Sequence, residues 1–461
     1  MSRSGNARID CRFQFYVIVI LFPYHTLIAG VIELRLPCFQ IIAVLVLTIA
    51  SVAGAQSPIK IVHYNCTCHG EHWTDWLHHQ AERFTAQHPH IELEIITDPS
   101  DYYDKLAILA ATGEFPDVTE VIPAQSIPYL EQGLWLELTQ VIEADPDFDL
   151  DRFIPTTLEL FRWHGGLYGL PASAFTLITS YNADHFQAAG VVLPADTGDR
   201  WNWDGLLEAA RRLTRDLSGD GVPDQYGVAV FRDIWRLSYW AENAGGTYFD
   251  RYIDPTEAHF THPGVVQAAE FVKGWIDSGI AALDFSSSRD RLLSGSVSMI
   301  FDQGSTIIGY HRDNPQIALD FAPLPRGPVK GGTEVTANGF QISASSRYPE
   351  EVWRWVKHLT YNIDAARDHV TRTARVPALF ELIPDFGFLI GTSAPHANAW
   401  VEEAANPESR IRPLVREGVQ IGRLFATTMT AILEGRMPAR EAFSELDRQV
   451  NAILREAHGR R

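Results

Sequence analysis

Positive charge is scarce in this 461-residue chain, where 38 Lys and Arg stand against 57 Asp and Glu for a formal charge of −19. A protein that neutralises a phosphate backbone needs clustered Lys and Arg, so the balance argues against nucleic acid as a partner. Familiar catalytic signatures are missing too. There is no Gly-x-Ser-x-Gly elbow, no His-Glu-x-x-His and no Gly-x-x-x-x-Gly-Lys-Ser/Thr phosphate loop. Neither an internal repeat nor a low-complexity tract is present. What is there is apolar and aromatic, with 24 Phe, 15 Tyr and 12 Trp and only 21% charged residues. That leaves too little polarity for a disordered or coiled-coil chain. The length exceeds one domain at about 100–200 residues each.

The first 55 residues read apart from the rest. Gln40 to Ala50 is an apolar run preceded by Arg35 and followed by Ala53-Gly54-Ala55, the small-residue pattern of a secretory cleavage site. Residues 1–55 are therefore expected to be a signal peptide with an N-terminal extension, cut after Ala55, giving a periplasmic protein. Upstream, the uncharged stretch 13–32 suits a membrane span in length, so an anchor is the alternative. Of four cysteines, only Cys66 and Cys68 follow the cleavage point.

Past residue 56 the pattern alternates. Ile59 to Tyr64 is β-like; Trp73, Trp76, Leu77, Ala81 and Phe84 recur at helical spacing; Ile91, Leu93 and Ile95 alternate as a strand. This is a βαβ unit, so an α/β domain opens the chain. Trp163 to Pro171 reads as a hairpin joined at Gly165-Gly166, Trp203 to Leu217 as an amphipathic helix, and the last hundred residues as mostly helical.

Two local clusters suggest ligand chemistry. Asp216-x-Ser218-x-Asp220-Gly221-x-x-Asp224 places oxygen side chains at positions 1, 3, 5 and 9 of an EF-hand-like loop, with Gly at 6. Position 12 is Gly227, so a structural Ca2+ would need a distant acid; the other reading is an Asp/Gly-rich turn. His63-x-x-Cys66-x-Cys68-His69-x-x-His72 could ligate a soft metal. A disulfide or two free thiols are the other readings.

A set of ordered segments resembles the extracellular solute-binding proteins of bacterial ABC importers, family 1. These are Leu109 to Asp117 (LAATGEFPD), Tyr129 to Leu134, His164 to Pro171 with Tyr181-Asn182, Trp203 to Ala210, Asn243 to Gly246, Leu293 to Phe301, and Ala431 to Gly435 with Ala442 to Leu446. The resemblance implies a two-lobed α/β fold of the periplasmic-binding-protein type, with mixed sheets flanked by helices. Lobe one would be residues 56–173 plus 336–388, lobe two residues 174–335 plus 389–461. A hinged cleft between the lobes would hold the ligand.

Function follows as an expectation: a monomeric, non-enzymatic, cofactor-independent receptor that binds a sugar or oligosaccharide and delivers it to the permease subunits. Carried over by position, ligand contacts would be Tyr64, Asn65, His69 and Glu71; Gln125; Phe175; Asp233 and Trp235; Asp302, Gln303 and Ser305; and Asn338 and Arg375. Two family tryptophan positions fall near Val121 and Ser305, so the family's aromatic set is not reproduced. A periplasmic metal-binding protein on the same fold and a secreted carbohydrate-active enzyme are the competing readings. The acidity of the chain argues against anionic partners, and its aromatics suit a neutral sugar.

Overall fold

The computed structural model describes residues 15–19, 30–34, 58–98, 102–303 and 306–459. The expected cleavage point after Ala55 lies outside them. The chain divides into two compact units, residues 1–59 and 60–461. In the first, strands β1 (Phe15–Val19) and β2 (Gly30–Leu34) pair antiparallel. Where the uncharged stretch 13–32 is described, it is therefore strand. No helix among the described residues is long and apolar enough to cross a membrane.

The second unit is built on one mixed sheet of ten strands, into which β3 (Ile59–Cys66) enters. Strands β3, β4 (Ile91–Asp98) and β5 (Val118–Val121) form its first half, with β3 parallel to β5. The helix Glu71–Gln87 crosses between β3 and β4 and buries Trp73, Trp76, Leu77, Gln80 and Phe84, one stripe at the 3.6 period. A short hairpin, β6 (Arg162–Trp163) and β7 (Gly166–Leu167), turns at His164 and Gly165, both at positive φ, one residue earlier than the glycine pair suggests. His164 accepts φ of 46° there, leaving Gly166 to pair as strand.

Thirteen-residue β8 (Leu170–Asn182) is buried almost throughout, because strands pair along its edges and helices pack on it. It runs from the first half of the sheet into the second, where β9 (Tyr226–Val228), β10 (Val297–Gln303) and β11 (Leu319–Ala322) lie. The long β12 (Glu334–Ile342) returns antiparallel to β8 and reaches β5, while β13 (Val376–Pro377) joins β8 and β14 (Arg410–Ile411) joins β12.

Capping explains where the key helices begin. Asn202 Oδ1 accepts from Gly205 N (3.0 Å) to start Trp203–Leu213, which ends at Leu213 rather than Leu217. Asp233 Oδ1 accepts from Arg236 N (2.9 Å) to start Ile234–Asn243. On the second of these helices Trp240 is fully buried, with ring centroids of Phe301, Trp275 and Trp203 at 5.0, 5.2 and 5.8 Å. The mixed α/β architecture expected from the sequence is the one observed.

Candidate functional site

Ligands of open α/β sheets gather beyond the carboxyl ends of the strands, and two polar clusters occupy those ends here. In the first half, β3 and β5 end at Cys66 and Val121. The short turn Thr67–His69 then carries His69 against Glu120, with Nε2 2.6 Å from Oε1. Asn338 of β12 completes the other side. With its Nδ2 donating to the Ala337 carbonyl (3.1 Å), its Oδ1 accepts from His69 Nδ1 (2.8 Å) and from Arg375 Nη1 (3.2 Å). Arg375 Nη2 donates to the His69 carbonyl (2.8 Å), and the guanidinium lies over Trp73 and Phe175, 4.8 and 5.3 Å from their ring centroids. Only 9% of Arg375 is exposed. Burial pulls its pKa down to about 10, against a smaller opposing pull from Glu120.

In the second half, the next-to-last residue of β10 is Asp302, which takes Arg236 Nη2 at 2.5 Å and Arg289 Nη2 at 3.2 Å. Arg236 also reaches Asp233 (2.7 Å) and donates Nε to the Phe301 carbonyl (3.0 Å). Burial alone would lower the Arg236 pKa, but Asp233 and Asp302 outweigh it and raise it.

Trp235 is half-buried beneath the guanidinium of Arg412, 4.8 Å from its ring. Arg412 in turn pairs with buried Glu334 (2.6 Å), which accepts from Ser238 Oγ (2.7 Å). Burial raises the Glu334 pKa despite Arg412 and Ser238.

Both clusters hang on the same two crossing strands. Thr336 of β12 pairs with Phe175 of β8, Val335 with Thr176, and Leu177 of β8 with Gln303 of β10. From Glu334 to Asn338 the strand advances about 13 Å at roughly 3.3 Å per residue. Arg416, just ahead of the helix Gly418–Leu433, ion-pairs with Glu131 at the end of the helix Pro123–Glu131 and ties the second half to the first.

Of the residues expected at the site, His69, Phe175, Asn338 and Arg375 come together in the first cluster, and Asp233 and Asp302 in the second. Tyr64 and Asn65 do not line a loop. Strand β3 continues to Cys66 and pairs with β5 at His63 and Tyr64, so both residues are buried in the sheet. Tyr64 stacks on Tyr102 at 4.8 Å, and Asn65 Oδ1 accepts from Trp73 Nε1 (3.1 Å), positioning the ring beneath Arg375. Glu71 and Gln125 are exposed on helices. Gln303 is placed by its backbone at the end of β10, and Ser305 lies outside the described residues. Residues absent from the sequence-based set are Glu120, Arg236 and Arg289. Glu120 carries a signal, a charge inside the apolar run Val118 to Val121.

Cys66 and Cys68 are joined by a disulfide. His63 is fully buried, accepts from Trp355 Nε1 (2.9 Å) and has its pKa pushed down to about 3 by burial, so it turns away from the Cys/His cluster. In the 216–224 loop Asp216 accepts from Gly219 N (2.6 Å) and Gly221 N (2.8 Å), while Asp224 Oδ2 accepts from Leu217 N and Ser218 N, both at 2.7 Å. Asp220 Oδ1 accepts from Val222 N (2.9 Å). Among the described residues, no group of three or more His, Cys, Asp or Glu is placed to hold a metal ion. The loop carboxylates are already spent on backbone N–H groups, the pattern of an Asx-rich turn.

Comparison with known proteins gives the same architecture. The family model described as bacterial extracellular solute-binding protein matches residues 79–385. A Brucella abortus protein named only as a binding protein is 24% identical over 352 residues, covering 70% of this chain and 80% of its own. The mannitol-binding protein of Pseudomonas aeruginosa is 27% identical over 285 residues, 57% of this chain and 61% of its own. Among solved structures, an ABC substrate-binding protein of Listeria monocytogenes in complex with cycloalternan superposes with a TM-score of 0.71 at 23% identity, covering 86% of this chain and 99% of that one.

Proposed function

Because the chain belongs to the bacterial extracellular solute-binding proteins, we propose that it is the exported receptor of an ABC importer, binding a sugar or oligosaccharide between two lobes and presenting it to the permease subunits. The observation that carries this reading is the pair of polar, aromatic-backed clusters hung on β8 and β12. One wall offers His69, Asn338 and Arg375 over Phe175; the other offers Asp233, Asp302 and Trp235. Sugars need planar hydrogen-bonding groups for their hydroxyls and aromatic faces for their C–H surfaces, and both are present. The relatives support it in kind, one being named for mannitol binding and another solved in complex with cycloalternan.

We place the lobes at residues 56–173 plus 336–388 and 174–335 plus 389–461, with the hinge where β8 and β12 pair. A ligand that touches both walls has higher affinity for the closed arrangement and shifts the population toward it. The mature protein works as a periplasmic monomer, after cleavage of residues 1–55, and needs no cofactor or catalytic group.

Thermal-shift screening of the purified protein against oligosaccharides, polyols and metal ions tests the assignment, since a ligand raises the midpoint by its occupancy of the folded state. A sugar that is retained intact supports a receptor; turnover of that sugar would point to an enzyme instead. With a bound sugar in hand, Trp235→Ala is expected to weaken affinity roughly tenfold, about 1.4 kcal/mol, through loss of ring stacking. Unchanged affinity would remove Trp235 from the site.

Calcium is tested separately. Binding at 216–224 would require Asp216 and Asp224 to release their backbone donors. Calorimetric titration is therefore expected to give no heat at micromolar Ca2+, and tight binding there would overturn the turn reading.

A further inference from the structure

We propose that the cavity beside Asp233 receives an oxyanion, so that the sugar carried by this protein bears a carboxylate or a phosphate. The inference rests on the sugar-receptor reading and deepens it. The cavity encloses about 410 Å3 and opens at the carboxyl ends of β9 and β10. Its volume falls in the range of small-molecule sites, roughly 300–1,000 Å3. Arg232, Asp233, Arg236, Phe285, Arg289 and Asp302 supply its chemistry.

Three guanidiniums face two carboxylates there. Arg236 is fully committed, to Asp233, Asp302 and the Phe301 carbonyl. Arg289 gives only Nη2 to Asp302, and its Nε is buried with no acceptor. Arg232 lies over the Phe285 ring at 4.6 Å and donates to Thr430 Oγ1 at 3.3 Å; it pairs with no carboxylate among the described residues. One positive charge is therefore in excess, inside a protein whose formal charge is −19. The opposite wall adds to it, because Arg375 is buried and touches His69 and Asn338 rather than a carboxylate.

Closing a cleft over an uncompensated cation strips its water at considerable cost, and a neutral hydroxyl answers the hydrogen bond without answering the charge. A carboxylate or phosphate oxygen pair answers both, by accepting from the Arg232 fork beside the part of the Arg289 side chain that stays open to the cavity. The acidity of the whole chain, which favours a neutral ligand on composition alone, is thus reversed locally where the ligand would sit.

The test is calorimetry on the mature chain with matched ligands of one to four units: galacturonate oligomers, the corresponding neutral galactose oligomers, and galactose phosphate. An acidic member is expected to bind at least about tenfold tighter than its neutral counterpart, with the advantage shrinking as salt is added. The uronate and phosphate arms tell the two oxyanions apart. Arg289→Gln is expected to erase the preference, lowering the ratio of acidic to neutral affinity roughly tenfold. Arg232→Gln, at an exposed position where the fold is not at stake, should give a smaller loss of the same kind. Equal or tighter binding of the neutral sugar, or equal weakening of both ligands in the variants, overturns the oxyanion while leaving a sugar receptor in place. Failure of every sugar, neutral or acidic, overturns both.

Discussion

Arg375→Ala is expected to weaken sugar binding by at least about thirtyfold, roughly 2–4 kcal/mol, while costing the fold only about 2 kcal/mol. The two effects separate because the fold already balances opposing contributions at this side chain. Deleting the guanidinium strands the His69 carbonyl and Asn338 Oδ1, each a partner of a charged donor at 2.8 and 3.2 Å. Hydrogen bonds to charged groups are worth about 1.5–3 kcal/mol apiece, and the stacking over Trp73 and Phe175 adds about 1.

Against these losses stands the cost of burying a charge whose nearest carboxylate, Glu120, is reached only through His69. The fall of its pKa to about 10 from an ordinary 12.5 corresponds to roughly 3 kcal/mol recovered on deletion. The difference is small for folding. Binding enjoys no such recovery, since the donor, the orientation of His69 and the seat of Phe175 are lost together. Arg375→Lys keeps the charge without the planar fork and is expected to fail nearly as badly. Calorimetric affinities set beside urea midpoints decide it: an affinity within threefold of the parent protein would place Arg375 in the scaffold alone.

The residues around Arg375 also show what a sequence displays and what it conceals. Local rules carry a long way here. The spacing of Trp73, Trp76, Leu77 and Phe84 gives a helix and its buried stripe, and the aromatic segment after residue 162 gives a hairpin. His69, Asn338 and Arg375 are reached from the sequence only by resemblance to a family, and the structure joins them through contacts spanning some 270 to 306 residues. Such contacts leave no local trace. Arg236 and Arg289 escape connection to Asp302 for the same reason, since a salt bridge between residues 66 and 13 positions apart follows from topology. Tyr64 and Asn65 show the converse failure. A strand boundary misjudged by two residues turns loop positions into sheet positions, and because successive side chains point to opposite faces, both are buried only where both faces are covered, as over His63–Cys66.

Glu403→Gln is expected to change the pH dependence of stability by about 3 kcal/mol. Glu403 lies on the helix Ala399–Ala405 and is 6% exposed. Burial raises its pKa to about 7, while Asn406, donating to Oε1 at 3.0 Å, pulls it down and Glu402 and Glu408 push it up. Below its ordinary value of 4.5 the side chain is protonated folded and unfolded alike, and pH has no leverage through it. Between 4.5 and about 7 the unfolded chain has released the proton and the folded one still holds it, so stability falls as pH rises. Above about 7 the folded side chain is ionised as well and the loss is complete, at roughly 1.4 kcal/mol for each pH unit that separates the folded from the unfolded pKa.

The position matters because the Glu403 backbone is tied to β8: its carbonyl accepts from Ser409 Oγ (2.7 Å), Ser409 Oγ accepts from Thr333 N (2.9 Å), and Thr333 Oγ1 donates to the Leu177 carbonyl of β8 (2.6 Å). Glutamine keeps an acceptor for Asn406 and cannot ionise. The variant should match the parent near pH 4.5 and exceed it by up to about 3 kcal/mol at pH 8, measured as urea midpoints of both proteins across the range. A gap that stays constant with pH would mean that Glu403 is ionised in the fold and balanced by its neighbours. With the raised pKa, the parent carries beside β8 a carboxyl that loosens the folded state in neutral conditions and firms it in mildly acidic ones.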